Sequence, residues 1–221
     1  MPSLAVIFDV DGVLVDSYQA HFQSWRQLFR ELGTDCSEQE FAASFGRTSR
    51  EILRDKLGGE LSDDRLRELD DRKEHLYRQA FRENFRPMDG AAELVSALAK
   101  DGFALGIGSS GPAANVALAL ELLRLRPHFA AIVTGADVKR GKPDPQVFQL
   151  AAERLGVAPA ACAVVEDAAH GITAANRAGM ASIGLVGTVT RDRLAHAKLI
   201  IDGLRELTPE RVRALISSTG P

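Results

Sequence analysis

Residues 4–17, LAVIFDVDGVLVDS, begin with five apolar residues and then place two carboxylates two positions apart, at Asp9 and Asp11. Such an unbroken apolar run is typical of a strand that is buried on both faces of a parallel sheet. Because side chains alternate along a strand, we expect both carboxylates to leave its carboxyl end on the same side. Gly12 allows a sharp turn there. Open α/β sheets bind ligands at this edge, so the two acids are candidate functional residues, with a solvated turn as the alternative.

The chain after residue 88 alternates between strand and helix patterns. Strands are predicted over residues 103–108, 130–133, 162–165, 182–186 and 199–201. Helices are predicted over residues 112–125, 145–155 and 168–178. An earlier helix is expected to have Asp89 as its cap and to stop at Asp101-Gly102. This alternation implies right-handed βαβ units, and therefore an α/β fold with a parallel sheet.

Residues 16–87 have a different character and show helical patterns only. His21 and Trp25 fall at helical spacing on an apolar stripe. A second helix is predicted over residues 47–57, and the charge-dense segment 60–86 keeps an apolar stripe that indicates a solvated helix. We therefore predict a small helical lobe without strands.

These patterns predict a core domain that is interrupted by an insertion. Residues 1–15 and 88–221 are expected to form the α/β core, and residues 16–87 an all-helical cap domain. Because the insertion begins soon after Asp11, we expect it to lie above the carboxylates as a lid.

The composition is that of an ordinary globular protein, with 45% hydrophobic residues and a net charge of −3 from 27 basic and 30 acidic residues. This charge gives no electrostatic case for nucleic acid or membrane partners, and no apolar run approaches a membrane span. No secretory signal is visible, so we expect a cytoplasmic protein. Cys36 and Cys162 match no metal or redox spacing and are expected to be reduced packing residues; a single disulfide is the alternative.

Residues 107–111, IGSSG, run from a predicted strand end into a helix N-terminus. There Ser109 would offer a hydroxyl, and the amides of Ser110 and Gly111 would add donors beside the helix dipole, which is a suitable site for phosphate. An ordinary Ser-Gly-Pro turn is the alternative.

Residues 141–145, GKPDP, place Lys142 between a strand and a helix, where it could neutralise a phosphoryl group. An exposed loop lysine is the alternative.

Residues 164–171, VVEDAAHG, form a second apolar strand that ends in acids, Glu166 and Asp167. These acids are expected to converge on the first two carboxylates at the same edge of the sheet. Four carboxylates in one crevice repel one another unless a cation shares the site. Oxygen ligands with room for water and phosphate suit Mg²⁺.

Taken in order, these four segments resemble motifs I to IV of the haloacid dehalogenase-like (HAD) hydrolases. The N-terminal half is similar to the β-phosphoglucomutase branch and its phosphatase relatives, through Asp16-Ser17, His21, Trp25 and residues 46–50, GRTSR. The resemblance implies a Rossmann-like, three-layer core with a helical cap.

The resemblance also implies residue roles. Asp9 would be the nucleophile that forms an aspartyl-phosphate, and Asp11 the acid and base. Mg²⁺ would be held by the Asp9 carboxylate, the Asp11 main-chain carbonyl and Asp167, with Glu166 close by. The phosphate and substrate would be bound by Ser109, Ser110, Gly111, Lys142, Arg50, His21 and Trp25. For the last three residues, packing or solvation is the alternative.

A mutase must hold a bisphosphate intermediate and therefore needs cationic side chains for a second phosphate, whereas a phosphatase does not. Mutases of this family carry Lys-Asn shortly after the motif II serine, whereas this chain has Pro112-Ala113. Their late cap lysine falls on Gln79, with Arg78 adjacent, and Arg50 alone remains of the residues that bind the distal phosphate. The sequence therefore favours a Mg²⁺-dependent phosphatase that acts on a small phosphorylated metabolite, a sugar phosphate or phosphoglycolate, as a monomer or weak dimer. The alternatives are a phosphosugar mutase, a non-catalytic phospho-ligand-binding protein and a haloacid dehalogenase, against which Asp11 argues.

Overall fold

A computed structural model describes residues 4–44, 49–58 and 61–218. Six parallel strands form one sheet in the order β3-β2-β1-β4-β5-β6. The strands are β1 Ala5–Phe8, β2 Ala104–Gly108, β3 Ala131–Val133, β4 Cys162–Glu166, β5 Ala181–Leu185 and β6 Leu199–Ile201. This strand order is that of the Rossmann-type doubly wound sheet, so the predicted α/β fold is confirmed.

The register of the central strand determines where the site lies. Phe8 at the end of β1 is level with Ile107 in β2 and with Val165 in β4. The residues that follow these three strands therefore leave the sheet side by side. The strand order changes direction at β1, because β2 and β3 lie on one side and β4 to β6 on the other. A crevice at such a switch point is where open α/β sheets bind ligands.

Helices cover both faces of this sheet. The described helices of this part are α5 Ala91–Lys100, α6 Ala113–Leu123, α7 Gln146–Leu155, α8 Ala169–Arg177 and α9 Pro209–Ser217. Side chains from α7 and α8 pack with Ile7 and Val164 on one face of the sheet. Their strand neighbours Val6 and Val165, which point to the opposite face, are also fully buried. Burial on both faces explains why these strands are continuous apolar runs.

The described residues divide into two compact units, with chain boundaries after Asp16 and after Phe85. The second unit contains four helices among its described residues: α1 Tyr18–Glu31, α2 Glu38–Ser44, α3 Ser49–Leu57 and α4 Asp63–Glu83. Its core is an apolar and aromatic cluster that includes Trp25, Phe29 and Leu66.

Several local predictions need correction. Asp89 does not cap α5, because its carboxylate accepts two 2.7 Å hydrogen bonds from Arg205 and Gly90 occupies the N-cap position. Helices α2 and α9 were not expected. The predicted helix over residues 47–57 is described from Ser49 onward, and residues 46–48 of the GRTSR segment lie outside the described residues.

Two other expectations concern the cysteines and the membrane. Cys36 and Cys162 are both free and buried, as expected of packing residues. Within the described ranges, no helix has both the length and the apolar character that a membrane span requires.

Candidate active site

The turn after β1 places two carboxylates at the edge of the sheet. Asp9 is 7% exposed, and its amide donates to the Val165 carbonyl of β4 at 3.0 Å. The chain then folds back on itself, since the amide of Gly12 donates to the Val15 carbonyl at 2.8 Å. Gly12 adopts a φ of +75°, a conformation that favours glycine. The half-buried Asp11 lies near enough to Asp9 for its charge to affect the ionisation of that residue.

Lys142 lies between the ends of β1 and β4. Its ammonium group donates to Asp9 Oδ1 and to Glu166 Oε1, each at 2.7 Å. Burial alone would lower the pKa of Lys142, but the two carboxylates more than offset this effect and raise it above its ordinary value. The lysine is therefore a fixed positive charge that contacts the first carboxylate of the site.

Glu166 uses both of its carboxylate oxygens within the protein. Oε1 accepts from Lys142, and Oε2 accepts from the amide of Ala168 at 2.8 Å. Gly171 in the following helix leaves room for this carboxylate, which a Cβ at that position would overlap. The arrangement makes Glu166 a support for Lys142, although one of its oxygens also lies close to the other acids.

Asp167 lies opposite the turn after β1 and is 5% exposed. A Cβ at Gly12 would overlap its carboxylate, so the glycine is required for this close approach. Thr188, in the loop after β5, lies beside the same carboxylate, and its hydroxyl opposes the rise in the pKa of Asp167. Sequence reasoning did not identify Thr188, because the residue belongs to none of the four motifs.

The acids form a compact cluster. One carboxylate oxygen from each of Asp9, Glu166 and Asp167 lies within 4.8 Å of the other two. Burial raises the pKa of Asp9 to about 7; Lys142 opposes the rise, and the nearby Glu166 and Asp11 charges add to it. Burial, Glu166 and Asp9 also raise the pKa of Asp167 well above its ordinary value. A divalent cation would lower both pKa values, and an all-oxygen donor set suits Mg²⁺, so these residues fit the ion.

The loop after β2 forms the neighbouring side of the crevice. Ser109 is buried, and its hydroxyl oxygen accepts from the Gly111 amide at 3.0 Å, so the hydroxyl hydrogen can donate to a bound anion. A Cβ at Gly111 would lie 3.3 Å from Ser109 Oγ and 3.7 Å from Asp11 Oδ2. The loop and the Asp11 carboxylate are therefore neighbours. Ser110 is exposed.

The predicted site residues of the helical unit occupy three different environments. Trp25 is buried in the core of the unit, whereas Arg50 is exposed and pairs with Asp63 at 3.4 Å. The His21 ring stacks on Tyr77, with ring centroids 4.2 Å apart. Their roles in substrate binding stay predictions.

Lys73 is a buried cation in the helical unit that sequence reasoning missed. It is 4% exposed, and its Nζ lies 3.2 Å from His21 Nδ1 and 2.7 Å from Glu74 Oε1. It also lies 5.4 Å from the centroid of the Trp25 ring. The sequence did indicate that this lysine is buried, since Lys73 falls on the apolar stripe of α4 between Leu69 and Leu76.

Comparison with known proteins gives a consistent result. The family model described as haloacid dehalogenase-like hydrolase matches residues 6–185. Hexitol phosphatase A of Escherichia coli (strain K12) is 34% identical over 91% of the chain and 92% of its own length. Beta-phosphoglucomutase of Bacillus subtilis (strain 168) is 33% identical over 82% of each chain.

A solved structure is similar over nearly the full length. The crystal structure of a HAD hydrolase, family IA, variant 3, from Entamoeba histolytica HM-1:IMSS superposes with a TM-score of 0.89. The two sequences are 31% identical, and the match covers 97% of this chain and 99% of the other.

Proposed function

This chain belongs to the haloacid dehalogenase-like hydrolase family, and on that basis we propose that it is a Mg²⁺-dependent phosphatase of small phosphorylated metabolites. The main supporting observation is the contact of Lys142 with Asp9 in a buried acidic cluster. A carboxylate next to a fixed cation, at the switch point of a parallel sheet, is suited to phosphoryl transfer.

Asp9 and Asp11 divide the chemistry between them. A carboxylate oxygen of Asp9 attacks phosphorus, and the bond from phosphorus to the leaving oxygen breaks. Asp11 gives its proton to that oxygen and later removes one from the attacking water, which releases phosphate and restores Asp9. Lys142 offsets negative charge on the transferring group, and the Ser109 hydroxyl, whose oxygen already accepts from the Gly111 amide, donates to one of its oxygens.

Mg²⁺ would be held by the carboxylates of Asp9 and Asp167 and by the main-chain carbonyl of Asp11. When bound, the ion supplies positive charge that polarises the phosphoryl group. We assign Glu166 to the support of Lys142, because both of its oxygens are engaged by protein donors.

The proposed substrate class is a sugar phosphate, a hexitol phosphate or phosphoglycolate. The relative named hexitol phosphatase A supports a phosphorylated polyol or sugar. We propose that residues 16–87 act as a specificity cap, with His21 and Arg50 as its candidate contacts, whereas the buried Trp25 is assigned to the packing of this unit.

Hydrolysis is favoured over mutase chemistry by the loop after β2. The positions after Ser109 are Ser110, Gly111, Pro112 and two alanines, so this segment offers no cationic side chain for a second phosphate. The relative named beta-phosphoglucomutase keeps a phosphosugar mutase as the second candidate. Isomerisation of β-glucose 1-phosphate to glucose 6-phosphate without release of phosphate would establish the mutase instead.

Phosphate release from a panel of phosphorylated metabolites and from p-nitrophenyl phosphate tests the proposal. We expect release that requires Mg²⁺, is lost with EDTA, and is lost in Asp9→Asn. Asp101→Asn, which changes a carboxylate at the end of α5, serves as the matched control and should keep full activity. Release that persists in Asp9→Asn, or tight binding of a substrate without turnover, would contradict the proposed phosphatase.

A further inference from the structure

Thr188 lies outside every segment that the motifs identify. It belongs to the loop that follows β5, more than 20 residues after Asp167 in the chain. Because β5 pairs with β4 in parallel, this loop leaves the sheet at the same edge as the acids. The exposed Thr188 therefore lies where it can reach the buried Asp167 carboxylate.

The surroundings of Asp167 differ from those of the other two acids in the cluster. Lys142 donates to Asp9 and to Glu166, so each of these acids has a cationic hydrogen-bond partner. Asp167 instead has the neutral hydroxyl of Thr188 beside its carboxylate, since Thr188 Oγ1 and Asp167 Oδ2 both lie near the point that a Cβ of Gly12 would occupy.

Thr188 and Gly12 both lie close to the Asp167 carboxylate. A Cβ at Gly12 would lie 2.7 Å from Asp167 Cγ and 2.7 Å from Thr188 Oγ1. The glycine, the acid and the hydroxyl therefore meet at one point of the crevice. A carboxylate has about four acceptor positions, so one hydroxyl can fix its orientation and leave positions for a metal ion.

We propose that Thr188 is a positioning residue for metal binding, whose hydroxyl holds the Asp167 carboxylate in the orientation that binds Mg²⁺. Partners that orient metal ligands typically change metal affinity by about 10- to 100-fold when they are removed. A neutral donor suits this position, since it orients the carboxylate without cancelling the charge that attracts the cation. The inference rests on the proposed function, because it requires Mg²⁺ at the acidic cluster.

Direct titration of Mg²⁺ into the full chain by calorimetry tests the proposal without any substrate. Thr188→Val keeps the shape of the side chain but removes the hydroxyl, and we expect it to weaken Mg²⁺ binding by about 10-fold or more. Thr188→Ser restores the hydroxyl and should bind within about threefold of the wild type. Thr190→Val is the matched control, because Thr190 is a nearby threonine of the same loop whose hydroxyl lies beside Asp192 rather than beside the acidic cluster.

Thermal unfolding without Mg²⁺ separates a positioning role from a structural one. We expect Thr188→Val to unfold like the wild type, and Thr188→Ala provides a second variant if valine disturbs the loop. Two results would overturn this inference alone. One is wild-type Mg²⁺ affinity in both Thr188→Val and Thr188→Ala. The other is Mg²⁺ binding that is weakened in Thr188→Ser and Thr190→Val as much as in Thr188→Val. A wild-type chain that does not bind Mg²⁺ would overturn both this inference and the proposed metal-dependent function.

Discussion

Gly12→Ala places a methyl group in the space that the Asp167 carboxylate occupies in the acidic crevice. Gly12 has a φ of +75°, and its missing side chain leaves the space that the Asp167 carboxylate occupies. Asp167 follows the last residue of β4, so its backbone is held by the sheet and cannot easily retreat. We expect the carboxylate to rotate away, which removes it from the proposed metal site.

The expected loss in the free energy of unfolding has two parts, the backbone strain of alanine and the displacement of the Asp167 side chain. A second glycine of the chain provides a control for the first part. An alanine in a left-handed conformation costs about 1–2 kcal/mol, and a side chain forced off its rotamer costs about 0.5–1.5 kcal/mol. Gly179 has a φ of +77°, and a Cβ there would meet nothing within 4 Å. Gly179→Ala should therefore lose about 1–2 kcal/mol, and Gly12→Ala about 1.5–3.5 kcal/mol.

The two variants should differ far more in Mg²⁺ binding than in stability. Urea unfolding gives the free energies, and calorimetric titration gives the Mg²⁺ affinities. We expect Gly179→Ala to bind Mg²⁺ like the wild type, and Gly12→Ala to bind at least about 10-fold more weakly. Equal Mg²⁺ affinities in the two alanine variants would refute the placement of Asp167 as a metal ligand beside Gly12.

Three further variants test other contacts. Lys142→Met should lower kcat by about 100-fold or more, because the transferring group loses its fixed cation, and a kcat within threefold of the wild type would refute that role. Lys73→Ala should lower the free energy of unfolding by about 2–4 kcal/mol in urea, whereas exposed Lys100→Ala should change it by less than about 0.5 kcal/mol. The Arg154 guanidinium, helped by Thr134, lowers the pKa of Asp137 to about 2, so the stability that Asp137 contributes is present above about pH 4 and is lost as the pH falls toward 2. The deficit of Asp137→Asn in urea should be about 1 kcal/mol at neutral pH and should shrink below about pH 4; a constant deficit would exclude this ion pair as its cause.

The sheet was predictable because its strands are buried on both faces. Apolar runs such as the one that ends at Phe8 distinguish these segments from the helices, and the observed strands differ from the predicted ones by at most one residue at either end. Helix α2 was missed because only Phe41 is buried along it, so it gives no apolar stripe. Helix α9 did carry a signal, since Thr208 accepts from the Arg211 amide as an N-cap and Pro209 follows it.

Contacts between distant parts of the chain account for the other errors. Asp89 has the composition of a helix cap, but Arg205, 116 residues away, binds its carboxylate. Thr188 likewise contacts Asp167 only because β4 and β5 are neighbours in the sheet. By contrast, the convergence of Asp9 and Glu166 could be predicted, because parallel pairing alone brings the ends of β1 and β4 to the same edge of the sheet.

The most direct test of this account is the covalent state of Asp9 during turnover. The wild-type protein is mixed with a substrate and Mg²⁺, quenched in acid within one turnover, and digested for mass spectrometry. We expect one phosphoryl group on the peptide that contains Asp9, and none in Asp9→Asn or in the presence of EDTA. Turnover of the substrate with no phosphoryl group on that peptide, or with the group on another residue, would contradict the proposed mechanism.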